Sequence, residues 1–592
     1  MNQIYERAKK LIDNSTNTNW GNNNKCIIYS LFSVFVELII VKLYWGGFSF
    51  LTNDDAMVQA ALNGTLIGEM YPYHQFINCI LGVILCFINR YIMTNRIWFF
   101  FLLLCSIVGL ILLHYTVFRV AGNMALSMVT IFAFACLFEM YNLSNVSFTI
   151  TPILLCIGAI SILFIEENLH IISPKKIVLI SFIIVFSSLI RYESAIAILP
   201  IYFIVLYYYS KNSAGRHNFL INFLIVMGVF LLIFSANYFS NYVQNELVDG
   251  TFHEFNTYRA VFMDYPHPNY NEATEVYSKY GWDEETFELI DSMCYLPKEF
   301  SLEALKGICT ELELSRFGFY LTEGTLYKIK KFFCLDINIK TYYGNLKVIV
   351  ILSLILCMVI YIFMNKMKKK KNLLINTASV SCVCSILLLC YLIICNRVEL
   401  RAALCTFIPM ICIMAISFVK LYEKVASDLR DLLGGKKFEL CSRIFYVMIM
   451  LVSVIVIHSY LLSHMETLQF RNISIRGKKY YDYIEKNPDM FFIYGDALAI
   501  PIEDDYYLPS NSIFWGGACV GSDLNKKMSE INGFDTITME TLNEENVYFI
   551  GKTSLDYDVI KINNYLSKKG IMARYKVIDR IEDVGIVYKF YW

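Results

Sequence analysis

The sequence predicts an α-helical polytopic membrane protein with a small extracytoplasmic α/β domain at its C-terminus. Three observations lead there. Of 592 residues, 57% are hydrophobic and only 17% charged, far more apolar than a soluble domain of this size. Apolar stretches long enough to cross a bilayer recur from residue 27 to residue 463. Beyond about residue 464 the pattern changes to short alternating segments that read as strands and helices in water.

Taken in order, the segments that satisfy the length and composition of a span are 27–50, 75–94, 97–117, 121–140, 147–166, 177–209, 217–238, 346–364, 373–395, 401–421 and 444–463. That makes about eleven, with a range of eleven to thirteen. Lys and Arg near the spans set the orientation. Arg7, Lys9, Lys10 and Lys25 precede the first span, Arg90 and Arg96 follow the second, and Lys211 and Arg216 separate the sixth and seventh. Lys366 and Lys368 to Lys371 follow the eighth, and Lys420, Lys424, Arg430, Lys436, Lys437 and Arg443 precede the last. Placing these groups in the cytoplasm puts the loop after the first span, the 239–345 loop and the C-terminal region outside. Lys175 and Lys176 disagree if 177–209 is a single span. That stretch would be a helix of about 50 Å interrupted by Arg191-Tyr192-Glu193, so the alternative is two short spans with this triplet at the external surface.

Five regions follow. Residues 1–25 form a polar cytoplasmic N-terminus, without the small-residue cleavage site of a signal peptide, so the first span is expected to stay as an anchor. Residues 26–238 form an N-terminal transmembrane module with an external loop at 52–74. A large external loop occupies 239–345, C-terminal spans occupy 346–463, and the external α/β domain occupies 464–592. In that domain Phe491–Tyr494, Val547–Gly551, Ala573–Ile578 and Val584–Tyr591 read as strands and Tyr557–Lys569 as a helix. The 51 basic and 51 acidic residues balance, which gives no reason to expect a nucleic-acid partner. The 18 cysteines lie mostly in apolar segments and show no CxxC pair, so they are expected to pack as small apolar residues.

The stretch with chemical potential is Phe50-Leu51-Thr52-Asn53-Asp54-Asp55-Ala56-Met57, where two adjacent carboxylates emerge from the first span at a membrane surface. Asp before a helical run is also a favoured N-cap, and the two roles are compatible. Adjacent positions on a helix start point about 100° apart, so the pair is not expected to share one proton. A Gly/Pro/Tyr-rich return follows, Asn63-Gly64-Thr65 through Tyr71-Pro72-Tyr73-His74. Charged residues inside spans are costly and need an explanation; Glu37, Lys42, Glu139, and Arg191 with Glu193 are the short list.

A first span, an external loop opening with Asp54-Asp55, a short helix and a Gly/Pro/Tyr-rich return resemble the first external loop of the GT-C membrane glycosyltransferases. The long loop after the seventh span sits where that family carries a loop that folds over the active site. The resemblance implies an inverting transferase that moves a sugar from a polyprenyl-phosphate donor to an extracytoplasmic acceptor, a cell-envelope glycan or a protein, in a bacterial cytoplasmic membrane. It assigns the base to Asp54, with Asp55 as the alternative, and leaves the neighbour to orient the acceptor or a metal. Paired carboxylates suit Mg2+ or Mn2+, and GT-C enzymes differ in using one, so the cofactor stays open.

Phosphate stabilisation calls for arginines near the external face: Arg191, Arg259, Arg397 and Arg401. An ion pair of the latter two with Glu399, or contact with lipid headgroups, is the plain reading. Further substrate-binding candidates are His74, Glu193, Tyr258 and Asp264, with Tyr71, Tyr73 and Tyr265 as stacking surfaces for sugar. Rival readings are a polysaccharide polymerase or ligase, a lipid-linked sugar flippase, and a binding module on a membrane anchor. A flippase calls for paired interrupted helices, of which only 177–209 is visible.

Overall fold

The structure, a computed structural model, describes residues 23–121, 124–165, 174–210, 217–248, 250–315, 340–349, 351–352, 373–395, 398–495, 508–552, 557–582 and 584–592. Arg397, residues 1–22, Lys211, Arg216, most of the 346–364 segment and the lysines at 366 and 368–371 lie outside the described residues.

The protein is predominantly helical, and five helices are long and apolar enough to cross a membrane: Asn23–Tyr44, Ile97–Val120, Met124–Ser144, Leu220–Val248 and Leu400–Lys420. In chain order the helices of the N-terminal half are α1 Asn23–Tyr44, α2 Asn53–Asn63, α3 Cys79–Ile92, α4 Ile97–Val120, α5 Met124–Phe134, α6 Met140–Ser144, α7 Thr151–Ser161, α8 Pro174–Ile190, α9 Tyr192–Ser210 and α10 His217–Tyr242. A π-helical turn, Ala135–Glu139, joins α5 to α6.

Contacts along these helices fix their directions. α1 and α4 are antiparallel, since Phe48 meets Phe99 at 6.3 Å, Ser33 meets His114 at 2.7 Å and Tyr29 meets Phe118 at 5.8 Å. α7 runs parallel to α4, because Ser106 bonds Thr151 at 3.0 Å and Thr116 bonds Ser161 at 2.8 Å. Two glycines let them approach: a Cβ on Gly158 would collide with the Gly109 carbonyl, and one on Gly109 with the Leu154 carbonyl. One end of the bundle is closed by a short parallel ribbon, β1 Ser49–Phe50 against β2 Asn145–Val146, which ties the loop after α1 to the loop after α6.

Two sequence expectations change. The 177–209 stretch is a helical hairpin, α8 and α9, with Arg191 at its tip; Ser181 Oγ and Tyr202 Oη, on either side of the tip, are 2.9 Å apart. Its tip lies at the ribbon end, where Arg191 stacks over Phe148 at 4.8 Å, so Lys175 and Lys176 fall at the opposite end. The charged triplet breaks the helix where it can be solvated and paired.

The 75–94 segment, expected to cross, does not reach the far end. Asn78 at the head of α3 bonds Leu189 and Ala236, and just past its tail the Asn95 carbonyl accepts from Asn63 at 2.9 Å. Trp98 and Phe99 then contact Asp55 and Gln59 on α2, so both ends of α3 and the start of α4 share the ribbon layer. Arg90 and Arg96 accordingly belong to this layer, not to the opposite face. With both ends held in this layer, α3, 14 residues and about 21 Å long, presents one apolar flank to α2 and the other outward.

Later helices obey the same pattern. α11 Phe252–Met263, α12 Thr274–Lys279, α13 Glu284–Asp291 and α14 Leu302–Glu311 form a compact unit around Phe262, Tyr277 and Trp282. α15 Leu373–Ile394 precedes α16, which is helical in backbone from Leu400 to Glu485. As a rod α16 would be about 129 Å long. Yet Cys405 reaches the Thr149 carbonyl at 3.5 Å and Thr467 bonds Asn145 at 2.9 Å, so the chain doubles back between them. Lys420 contacts the Phe164 carbonyl, at the far end of the bundle.

The last part of α16 enters the C-terminal domain, a five-stranded sheet ordered β4-β3-β5-β7-β6. Its strands are β3 Phe491–Tyr494, β4 Ser512–Phe514, β5 Val547–Lys552, β6 Arg574–Ile581 and β7 Gly585–Tyr591, with helices α17 Asp523–Ile531 and α18 Tyr557–Lys568. β4, β3 and β5 are parallel, while β7 and β6 pair antiparallel. The strands read from sequence are present; β4 and α17 were not legible. This domain and the 252–311 unit pack together, with Tyr295 N–H donating to the Trp515 carbonyl at 3.0 Å and Lys569 paired to Glu299 at 2.6 Å.

The Gly109–Gly158 contact yields a test. Gly158→Val should cost roughly 1–3 kcal/mol or more by forcing α4 and α7 apart, seen as a lower melting temperature of the detergent-purified protein.

Candidate active site

α2 begins where Thr52 leaves an extended backbone, and it ends at Gly64, whose φ of 85° few other residues accept. Between them Asp54 and Asp55 occupy the first turn, where the exposed N–H groups and the helix dipole favour negative charge. Their side chains go opposite ways.

Asp55 is fully buried. Its Oδ1 accepts from Trp98 Nε1 at 3.1 Å and from the Phe148 N–H at 3.1 Å, and its Oδ2 accepts from Thr52 Oγ1 at 3.0 Å. Burial pushes its pKa up to about 7, and these three donors pull the other way. The carboxylate therefore joins α2, α4 and the 145–150 loop, with no open side toward a ligand.

Asp54 is 29% exposed and faces Arg401, whose Nη1 lies 3.4 Å from its Oδ2. Burial raises its carboxyl above the usual range, while the Arg401 and Arg191 guanidiniums oppose this. Arg401 also bonds Glu399 at 2.8 Å, and Arg191 pairs with Glu193 at 2.9 Å while stacking on Phe148. The local ion pairs anticipated from sequence thus form, and both arginines still sit close enough to act on Asp54. A guanidinium offers five N–H groups, so an arginine held by one carboxylate can also take a phosphate oxygen.

Asp54 opens into a cleft enclosing about 640 Å3, counting its solvent-open part. One wall is Asn53, Asp54, Met57 and Phe76 from the membrane module; the other is the C-terminal domain, through Tyr494, Phe514 and the Gly516–Cys519 loop. No residue pattern marks the C-terminal domain as this wall, because its contribution comes largely from a loop after β4 with no chemical motif.

The other sequence-predicted residues are dispersed. His74 is buried beside Cys519, with Nε2 3.7 Å from the thiol sulfur, and its Nδ1 accepts from the Phe76 N–H at 3.3 Å. Burial lowers its pKa to about 3, which keeps the ring neutral. It lines a smaller pocket with Tyr71, Tyr73, Gln75 and Phe252, next to the cleft. Arg259 is buried in the 252–311 unit, bonded to Asn256 at 2.8 Å and 4.0 Å from Asp264; Tyr258 lies beside Lys306 in the same unit. Tyr258, Arg259 and Asp264 therefore organise that unit and do not line the Asp54 cleft. For a divalent ion, Asp54 and Asp55 diverge and Asp55 is saturated by donors, which leaves Asp54 as the carboxylate in the cleft.

Trp98→Phe would remove one donor from buried Asp55 and should cost about 1–3 kcal/mol, read as a lower melting temperature with no change in expression. A raised carboxyl pKa means the folded state holds the proton more tightly than the unfolded one between about pH 4 and 7. The stabilising contribution of Asp55 is thus fully present near pH 4 and is lost as pH rises through 7. The melting temperature of wild type should therefore fall relative to that of Asp55→Asn from pH 5 to pH 8. No protein-family model matches this chain, and no curated protein sequence matches it significantly.

Proposed function

We propose that the protein is a GT-C-like inverting glycosyltransferase of a bacterial cytoplasmic membrane, moving a sugar from a polyprenyl-phosphate donor to an extracytoplasmic glycan or protein acceptor. The observation that carries this reading is Asp54: a partly open carboxylate at the rim of the helical module, flanked by Arg401 and Arg191 and facing a cleft shared with a polar domain.

The reading includes a membrane path of about eleven crossings. α1, α4, α5–α6, α7, α8, α9, α10, α15 and the two limbs of α16 would cross, together with the 346–364 segment expected from the sequence, and α3 would lie along the external layer. This path puts Lys25, Lys175, Lys176 and Lys420 on the cytoplasmic side and keeps the Asp54 loop, the 252–311 unit and the C-terminal domain outside, as the positive-inside rule asks.

In the reaction, Asp54 would accept the proton of the attacking acceptor hydroxyl, and direct attack on the anomeric carbon inverts its configuration. Arg401 and Arg191 would take the departing lipid phosphate, whose charge grows as the glycosidic bond breaks. Asp55 would be a positioning residue, holding the α2 start against α4. Because Arg401 touches Asp54 in the resting arrangement, donor phosphate would compete for that guanidinium and release the carboxylate as base.

Purified protein incubated with radiolabelled polyprenyl-phosphate sugars and extracted envelope acceptors should transfer label. Asp54→Asn should lower turnover about 10²–10⁴-fold at wild-type melting temperature. Arg401→Ala should lower kcat for the lipid-linked sugar and also raise its KM, because the phosphate is contacted in the bound donor and more strongly as it departs. Wild-type turnover in Asp54→Asn would refute the assignment of the base.

A further inference from the structure

Glu37 of α1, His114 of α4 and Glu139 of the π-helical turn form a buried cluster within the helical bundle that the proposed transfer reaction does not use. His114 Nε2 lies 3.1 Å from both carboxylate oxygens of Glu139 and 3.8 Å from Glu37 Oε1. One ligating atom from each residue falls within 4.8 Å of the others, and all three residues are buried. Their surroundings are apolar, with Val34, Val41, Leu110, Leu113 and Phe138 in the same packed layer.

Ser33 Oγ lies 3.0 Å from the Ser30 carbonyl and 2.7 Å from His114 Nδ1; with its hydrogen given to Ser30 it accepts from His114 Nδ1–H, the tautomer a ligating Nε2 needs. In the neutral ring Nε2 then carries a lone pair, aimed at two carboxylate oxygens that also carry lone pairs. A proton or a metal cation between them relieves the repulsion. His114 is the only basic partner of either carboxylate among the described residues, and Glu37 Oε2 is buried without a hydrogen-bond partner. Two bare carboxylates cannot persist in such surroundings without compensation.

We propose that Glu37, His114 and Glu139 bind one divalent transition-metal cation, of the Zn2+, Mn2+ or Co2+ class, which clamps α1 to α4 and to the π turn. Ligand bonds of about 2.0–2.1 Å in a tetrahedron separate the ligand atoms by about 3.4 Å, between the two distances observed here. The ligand types suit these ions, and Ser33 supplies the outer hydrogen bond that orients a ligating imidazole. The π turn fits the same purpose, since its extra residue rotates Glu139 toward His114. The site is separate from Asp54.

The test uses the full-length protein in detergent, stripped with chelator, reloaded with Co2+ and desalted. The expected result is about one Co2+ per chain with the visible absorption of a tetrahedral nitrogen-oxygen site, and a rise in melting temperature of several degrees. Glu37→Gln and Glu139→Gln, which keep size and shape, should each reduce retained Co2+ at least tenfold while the protein stays monodisperse. Asp54→Asn should retain the metal in full, which separates this site from the proposed catalytic cleft. Failure of the wild type to retain Co2+, or undiminished retention in both glutamine variants, overturns the proposal; in the first case protons neutralise the carboxylates instead. The Co2+ content is read without any transfer assay, so its outcome is independent of the glycosyltransferase reading.

Discussion

The ribbon end of the molecule depends on one buried carboxylate. Asp55 accepts hydrogen bonds from a tryptophan on α4, a backbone amide of the 145–150 loop and the threonine that precedes its own helix. Three segments far apart in sequence are fixed to the first turn of α2 by that single group. Because α2 is short, fixing its first turn also fixes where Asp54 points, and Asp54 is the carboxylate that opens outward. The division of labour follows from burial: one acidic side chain gives up solvent for three donors, and its neighbour keeps solvent and meets arginine.

Around this anchor the helices are arranged by close approach more than by polar contacts. Gly109 against Gly158 brings α4 and α7 together along their length, and small hydroxyl bridges such as Ser106 to Thr151 fix their register. Such packing is what remains available where lipid offers no hydrophobic drive for helices to associate. Arg191 shows the complementary rule. An arginine in the middle of an apolar run is costly, and the chain places it at a hairpin tip with Glu193 and Phe148 as partners.

The Glu37–His114–Glu139 cluster joins α1 and α4 to the π turn, and so belongs to the scaffold that carries the Asp54 loop. A cation there would hold together the helices that deliver the Asp54 loop and Trp98. The cleft beside Asp54 and the proposed cation site are thus linked by architecture.

Much of this was legible in the chain itself. Composition and apolar run lengths fix a helical membrane protein, because a backbone in lipid must satisfy its own hydrogen bonds. Alternation after residue 464 marks most of the sheet, and the position of Asp54-Asp55 after an apolar helix marks a loop worth attention. Tertiary structure alone decided which of the two aspartates is buried, since adjacent residues on a helix start differ by about 100° and only the position of Trp98 selects between them. It also decided that 75–94 lies along one face and that 177–209 turns back, because hydropathy measures how apolar a segment is and carries no direction. Arg259 and Asp264 looked equivalent to Arg401 in sequence; packing put the first two inside the 252–311 unit and left Arg401 beside Asp54. The meeting of Glu37, His114 and Glu139 had no sequence signal, for the three lie on separate helices and become neighbours only when α1, α4 and the π turn pack.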